Sequence, residues 1–336
     1  MNKILVTGGA GFIGSAFVRN MLDGYPDLHI VNLDKLTYAG NLDNLKSVDT
    51  RRYTFVHGDI VDAEVVEQAM KGCDAVVNFA AETHVDRSLM GAKDFLRTNV
   101  EGVYQILLSA RNNNVRRVLL VSTDEVYGSR EVGSAIEADV VCPRNPYSAS
   151  KAAGELLGKA FYESFKLPVL ITRGCNTYGP YQYPEKVLPL FITNAIENKP
   201  LPLYKGGEHN IRDWLYVDDH CRAIDIVLRK GIPGEIYNIS AGFEKENIEI
   251  THKVLELTGK DESLIQWVPD RPGHDRRYSM NSNKLRALGW TPQVSWEEGI
   301  QRTVAWYKEN EWWWRRIKEG EFKKYYENQY IKRDKV

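Results

Sequence analysis

Near the N-terminus, Thr7-Gly8-Gly9-Ala10-Gly11-Phe12-Ile13-Gly14 follows the apolar run Ile4-Leu5-Val6 and leads into a helical pattern over 15–22. Glycines at these spacings let a strand turn sharply into a helix and let the backbone approach a pyrophosphate. The helix N-terminus then offers free N–H groups and partial positive charge. Asp34 lies 20 residues past Gly14, at the end of the next apolar run. A carboxylate there can accept both hydroxyls of an adenosine ribose and repels a 2′-phosphate, so the spacing points to NAD rather than NADP. Lys35 stands beside it, and Asp59-Ile60, after the third run, is placed to flank the adenine.

The segments 4–7, 30–33, 54–57, 75–79, 118–122 and 169–172 are short, Val-rich and apolar on both faces, and they alternate with helical patterns. Parallel strands covered by helices on both sides have this texture. The expected fold is therefore α/β, a doubly wound parallel sheet of the Rossmann kind with a smaller, interwoven C-terminal lobe. From about residue 180 the pattern is broken by Pro184, Pro189, Pro200 and Pro202. The expected division is a dinucleotide domain over 1–180, with a return segment near 214–230, and a substrate-binding lobe over 181–336. Trp312-Trp313-Trp314 and the charged residues after it read as a packing helix with a solvated face.

Composition narrows the partners. Forty-four Lys and Arg against 45 Asp and Glu leave a net charge of -1, so no global field favours nucleic acid or an anionic membrane, and a small molecule is the default. No stretch approaches the roughly 18 apolar residues of a membrane span, and the N-terminal residues carry no signal-peptide pattern. Cys73, Cys142, Cys175 and Cys221 lack metal-ligand spacing, so the expectation is no metal and reduced thiols in a cytoplasm.

Asn145-Pro146-Tyr147-Ser148-Ala149-Ser150-Lys151 reads as a helix start, with Asn145 as N-cap and Pro146 in the first turn. Tyr147 and Lys151 then share one face. An ammonium about 4 Å from a phenolate contributes about 4 kcal/mol at an effective dielectric of ~20, roughly 3 pKa units, enough to bring a phenol toward neutrality. Upstream, Thr123-Asp124-Glu125 ends a predicted strand, where polar groups face the ligand crevice of such a sheet. A Thr there can bind a sugar hydroxyl being oxidised. Two adjacent carboxylates ask for a second task.

With these residues assembled, the chain resembles the extended short-chain dehydrogenase/reductases, and within them the subgroup of nucleotide-sugar dehydratases. The likeness is carried by the glycine turn, Tyr147-x-x-x-Lys151 and Thr123-Asp124-Glu125. It extends through Asp34 to Asn41, Ala80 to Ser88, Tyr178-Gly179-Pro180-Tyr181-Gln182, Pro184-Glu185-Lys186, Arg212-Asp213-Trp214 and Arg271 to Tyr278. The resemblance implies a hydro-lyase that uses resident NAD to convert dTDP-glucose to dTDP-4-keto-6-deoxy-glucose by C4 oxidation, elimination across C5 and C6, and C6 reduction. It implies Tyr147 as the base at the 4-hydroxyl with Lys151 lowering its pKa, Glu125 as the base at C5 and Asp124 as the acid at the 6-hydroxyl. Thr123 and Thr83 would hold the glucosyl hydroxyls. It assigns the cofactor to Gly8, Gly11, Phe12, Ile13, Gly14, Asp34, Lys35, Leu36, Thr37, Gly40, Asp59, Ile60, Ala80, Ala81 and Thr98, with Tyr147 and Lys151. It assigns the diphosphate and nucleotide to Asn176, Lys186, Arg212, Asn247, Arg271 and His274, with Val187, Pro202, Tyr204 and Tyr278 lining the same pocket.

Two positions depart from the pattern: Thr177 stands where a second Asn is usual, and Thr83 where Ser is usual. The rival readings are a UDP-glucose 4,6-dehydratase, a 4-epimerase or a UDP-glucuronate decarboxylase of the same family, or a non-catalytic NAD-binding scaffold. Asp124-Glu125 argues against the epimerase, and intact Tyr147 and Lys151 against the scaffold. A homodimer is expected through helices near 94–112 and 147–165, because Phe95, Val100, Val103, Ile106, Leu107, Leu156, Leu157 and Phe161 give them more apolar surface than one sheet face covers.

Overall fold

Strands that are apolar on both faces are stable only between two helical layers, and the chain places its apolar runs there. The computed structural model describes residues 1–270 and 273–331. Its strands are β1 (Lys3–Thr7), β2 (His29–Asp34), β3 (Tyr53–His57), β4 (Ala75–Asn78), β5 (Arg117–Thr123), β6 (Val169–Gly174), β7 (Asn176–Tyr178), β8 (Leu201–Lys205), β9 (Ile211–Tyr216), β10 (Ile236–Ile239), β11 (Glu244–Glu246) and β12 (Ile265–Pro269). Seven of them form one sheet in the order β10-β6-β5-β4-β1-β2-β3, every neighbouring pair parallel. The order reverses between β1 and β4, which opens the crevice at their carboxyl ends. The expected doubly wound sheet is present.

One apolar layer joins Ile4, Val6, Val77 and Leu119 to the helix Phe12–Gly24, and the opposite layer joins Leu5, Val76, Leu120 and Ile171 to helices Ala63–Met70 and Val103–Asn112. The segment near 214–226 divides. Ile211–Tyr216 pairs with β7 and β11 in a separate three-stranded sheet. Helix Val217–Lys230 then returns, burying Ala223, Ile224, Val227 and Leu228 in the same layer as Phe17 and Met21, and the seventh strand is the later β10. The return is thus a helix followed by a strand.

The second lobe is built on aromatic residues. Tyr178, Trp214, Trp296, Tyr307, Trp313 and Trp314 share one buried cluster with helices Val187–Ile196 and Asn247–Thr258. Helix Glu311–Glu319 buries Trp313 and Trp314 and leaves Trp312 half-exposed, as an amphipathic packing helix does. Among the described residues no helix is long and apolar enough to cross a membrane.

Helix Pro146–Phe165 lies beside β5 and β6 and carries the central charge pair of the first lobe. Glu155 receives both Nε and Nη2 of Arg173, the shortest contact being 2.6 Å, and both side chains are almost fully buried. The guanidinium also lies 4.5 Å from the Tyr127 ring centroid. Removing one partner of such a pair strands the other charge without water. Glu155→Ala should therefore lower unfolding stability by about 3–5 kcal/mol, read from urea melts; a loss typical of a surface pair, under about 1 kcal/mol, would contradict this.

Candidate active site

The crevice opens into a cleft of about 1650 Å³, continuous with solvent, between the carboxyl ends of the central strands and the second lobe. Its floor is the glycine turn, and β2 holds that turn in place. The Asn32 side chain accepts from Gly9 N (2.9 Å), and Asp34 accepts from Ala10 N (2.9 Å) and Leu36 N (2.8 Å). Tyr53 in turn accepts from Asn32 Nδ2 at 2.8 Å. Gly8 has φ of +70° and lies so close to Ala80 that a Cβ would sit 2.6 Å from its nitrogen, while a Cβ on Gly14 would overlap the Gly8 carbonyl. Only glycine closes this turn against the sheet and the first helical turn. Burial raises the Asp34 carboxyl above its usual range, and the two N–H groups it accepts pull it back.

Gly8, Gly11, Phe12, Ile13, Gly14, Asp34, Lys35, Thr37, Gly40, Asp59, Ile60, Ala80, Ala81 and Thr98 all line the cleft. Lys35 reaches Asp59 at 2.8 Å across its rim. Leu36 is the exception: its backbone is left-handed (φ 53°), its N–H goes to Asp34, and its side chain packs against the core instead.

The far end of the cleft is built by β5 and helix Pro146–Phe165. Asn145 caps that helix, accepting from Ser148 N at 2.9 Å, and Pro146 occupies the first turn, as the sequence implies. The same Asn145 donates to Glu125 Oε2 at 3.4 Å, so one cap residue places both the Tyr147 helix and a carboxylate. Thr123 ends β5 and caps the tight turn Asp124–Tyr127, accepting from Glu125 N at 3.3 Å. Thr123, Asp124, Glu125, Tyr147 and Lys151 line the cleft together with Thr83, Asn176 and Lys186, and Lys186 Nζ lies 3.4 Å from the Thr83 hydroxyl.

The expected effect of Lys151 on Tyr147 is not what the free protein shows. Lys151 Nζ donates to the Val121 carbonyl at 2.7 Å, and burial lowers its ammonium to about 8, with Glu155 one turn on opposing the shift. Tyr147 is pushed up, by burial first and then by the negative charge of Glu125, while hydrogen bonds with Thr83 and Thr123 work in the other direction. Desolvation at this depth exceeds the attraction reckoned from helix spacing alone. Asp124 is 4% exposed, and among the described residues only one of its oxygens is bonded, to the Thr123 hydroxyl at 3.1 Å. Burial, then repulsion from Glu125, raises its carboxyl to about 8, so Asp124 carries a proton at neutral pH.

Not all the expected substrate residues reach this cleft. Tyr204 and His274 meet edge to face at 5.7 Å, and Asn247 donates to the Gly207 carbonyl in the loop after β8. Arg212 stacks 4.3 Å from the Tyr278 ring centroid and bonds the Asp275 carbonyl, and its charge acts on Asp124. Pro202 is buried in β8, and Val187 is half-buried at the start of its helix. These residues lie outside the lining of the cleft, and of them Arg212 and Tyr278 are tied to its carboxylates, through Asp124 and Glu125. Arg271 lies outside the described residues. The cleft also recruits Cys175, Tyr183 and His220, which nothing in the sequence marks, and Gln182 and Glu185, which stand in the segments of family likeness with no role attached. Thr177, the variant position, bonds His220 Nδ1 at 2.7 Å, and burial lowers that imidazole to about 4, keeping it neutral.

This geometry has close counterparts. The profile of the family described as GDP-mannose 4,6 dehydratase matches residues 5–303. The chain belongs to this family. The dTDP-glucose 4,6-dehydratase of Streptomyces niveus is 48% identical over 322 residues, 94% of this chain and 96% of that protein. The low-salt glycan biosynthesis protein Agl12 of Haloferax volcanii is 50% identical over 305 residues, covering 90% and 98%. The crystal structure of DesIV, a dTDP-glucose 4,6-dehydratase of Streptomyces venezuelae with NAD and dTDP bound, superposes with a TM-score of 0.92 at 51% identity, covering 94% of this chain and 99% of that one.

The buried acid of this family member has a thermodynamic signature. An unfolded aspartate ionises near pH 4, whereas Asp124 keeps its proton to about 8, so wild-type stability falls progressively between those values and no further above them. Asp124→Asn carries no such penalty. Its melting temperature should exceed wild type at pH 8 and match it near pH 4; an offset equal at both pH values would contradict the buried, protonated state.

Proposed function

We propose that the chain is an NAD-dependent dTDP-glucose 4,6-dehydratase, converting dTDP-glucose to dTDP-4-keto-6-deoxy-glucose and water. The observation that carries the reading is a pair of adjacent carboxylates in unlike environments beside Tyr147: Asp124 dry and protonated, Glu125 partly open and held by Asn145. An elimination needs one acid and one base, and unlike surroundings can supply both.

The residues fit the cofactor, because the glycine turn leaves no room for any Cβ at Gly8 or Gly14 and presents helix N–H groups beside an acceptor carboxylate. Gly11 to Gly14 would hold the pyrophosphate, Asp34 the adenosine ribose, and Lys151 and Tyr147 the reactive end. When bound, NAD supplies the oxidation at C4 and the matching reduction at C6. Tyr147 takes the proton of the sugar 4-hydroxyl as its phenolate, the form that the Lys151 ammonium and the positive charge of bound NAD would favour against burial, with Thr83 and Thr123 orienting that hydroxyl. The 4-ketone makes the C5 proton acidic; Glu125 removes it and, after exchange with solvent, returns a proton to C5 as C6 is reduced. Asp124 gives its proton to the departing 6-hydroxyl, which leaves as water. Lys186, Asn176 and Arg212 offer the diphosphate two cations and an amide, and Tyr204, His274, Asn247 and Tyr278 are assigned to the nucleotide, the thymine slot lying on the second lobe.

We also infer a cytoplasmic homodimer. Phe95, Val103, Ile106, Leu107 and Phe161, counted from the sequence as surplus apolar surface, are buried in the chain's own core. The surface that stays open comes from Leu156 and from residues the sequence reading did not name: Leu96, Tyr104 and Phe165. Tyr104, Phe161 and Phe165 form a run of edge-to-face rings spanning both helices, an apolar patch suited to a second copy. Light scattering at micromolar concentration should give about twice 38.4 kDa, and a monomer mass would sink the dimer.

The deciding experiment on the reaction incubates purified protein with dTDP-glucose, and separately UDP-glucose, in D₂O and follows ketosugar and deuterium at C5. Wild type should form ketosugar from dTDP-glucose with deuterium at C5. Glu125→Gln should form about 10²–10⁴-fold less and leave C5 unlabelled. No ketosugar from dTDP-glucose, or full turnover in Glu125→Gln, would overturn the assignment.

A further inference from the structure

The tryptophan run near the C-terminus does more than pack. The short turn Leu42–Leu45 follows the loop that carries Asp34 to Gly40 and lies between the glycine turn and helix Glu311–Glu319. Trp313, 2% exposed, donates its indole N–H to Asn44 Oδ1 at 2.9 Å, across 269 residues of sequence. Asn44, equally buried, donates from Nδ2 to the Ala10 carbonyl at 2.9 Å. The same carbonyl accepts from Asn41 N at 3.0 Å. At its other end Ala10 donates its N–H to Asp34 Oδ2 at 2.9 Å. A continuous chain of hydrogen bonds thus runs from the second lobe through Asn44 and Ala10 to the carboxylate at the end of β2. Outside it, Arg316 pairs with Asp43 and Lys46 lies 5.0 Å over the Trp312 ring, so the turn region and helix Glu311–Glu319 meet at three separate places.

We propose that Trp313 and Asn44 are positioning residues for the dinucleotide, an inference that rests on the NAD reading above. Ala10 sits in the middle of the pyrophosphate turn. With its N–H held by Asp34 and its carbonyl held by Asn44 and Asn41, both peptide planes flanking Ala10, that to Gly9 and that to Gly11, are held against rotation, and the neighbouring N–H groups and the ribose carboxylate keep one orientation. Prepaid ordering of this kind raises affinity without any contact to the ligand. The indole N–H is the element that matters: it satisfies the one Asn44 oxygen that would otherwise be buried without a partner, and so fixes which way the amide faces. Helix Glu311–Glu319 thereby sets how firmly the first lobe keeps its cofactor, which a reaction that oxidises and then reduces with the same NAD requires.

The test compares wild type with Trp313→Phe, which keeps the ring and removes the N–H. Protein stripped of cofactor is titrated calorimetrically with NAD and, separately, with dTDP. The dissociation constant for NAD should rise about tenfold while that for dTDP changes less than about twofold, and turnover at saturating NAD should return to within about twofold of wild type. A merely structural role would weaken both ligands and lower turnover at any NAD concentration. Unchanged NAD affinity, or an equal loss for dTDP, overturns the proposal. Should Trp313→Phe fail to fold, Asn44→Asp tests the chain from its middle, since a carboxylate still accepts from the indole but no longer donates to Ala10; it too should lose NAD affinity, and unchanged affinity overturns the proposal. Failure of wild type to bind NAD at all would instead sink the functional reading.

Discussion

The site depends first on how a strand holds a turn. Asn32 and Asp34 project from β2 and accept the N–H groups of Gly9 and Ala10, so the backbone groups left unpaired by a tight strand-to-helix turn are satisfied by the neighbouring strand rather than by water. The parallel register of β1 with β2 makes this possible, because Val6 and Thr7 lie opposite Asn32 and Leu33, with the turn immediately beyond. Asp34 therefore has two duties. It shapes the turn from below and presents an acceptor at the rim of the cleft, and its burial, which raises its carboxyl, is offset by the N–H groups it receives. A basic or apolar residue there would lose both.

The first lobe was legible because its signals are local. A glycine turn after an apolar run, a carboxylate a fixed distance on, and an Asn-Pro helix start each report a backbone requirement that a few neighbouring residues must meet. Strand ends differ from the sequence reading by a residue or so, as at Phe79, whose N–H still reaches the Thr7 carbonyl although the strand ends at Asn78. The second lobe was legible only by resemblance. Tyr204, Arg212, Asn247, His274 and Tyr278 come from separate strands, a helix and a loop, and what joins them is tertiary: an edge-to-face ring pair, an amide on a loop carbonyl and a guanidinium over a phenol. His220 and Cys175 entered the cleft unannounced for the same reason.

Electrostatics was the least legible level. Helix spacing places Tyr147 and Lys151 on one face, and at that level attraction between them follows. The structure adds what spacing omits: Lys151 is spent on the Val121 carbonyl, both groups are buried, and desolvation moves the phenol up and the ammonium down. Each neutral form is favoured by the same dry surroundings. Glu155 counters this for Lys151 only, and it is itself committed to Arg173. The charge state of the pair is therefore set by the depth of the cleft and by whatever charge enters it, not by the helix that carries them.

The two carboxylates show how adjacent residues acquire opposite chemistry. At the end of β5 the chain leaves extended geometry for a tight turn, so Asp124 and Glu125 face different neighbours. Asp124 falls inward, toward Arg212 and Asp213 of the second lobe, where one of its oxygens meets no donor among the described residues and its carboxyl keeps a proton. Glu125 turns toward the helix start, where Asn145 donates to it. Repulsion between them reinforces the division, since the charge on Glu125 is one of the causes that hold Asp124 neutral. Were the turn after Thr123 continued as strand, the side chains would still alternate, but the Asn145 contact and the Thr123 cap would both be lost, and neither carboxylate would have the partner that fixes it. The division of acid from base is thus a consequence of where the strand stops.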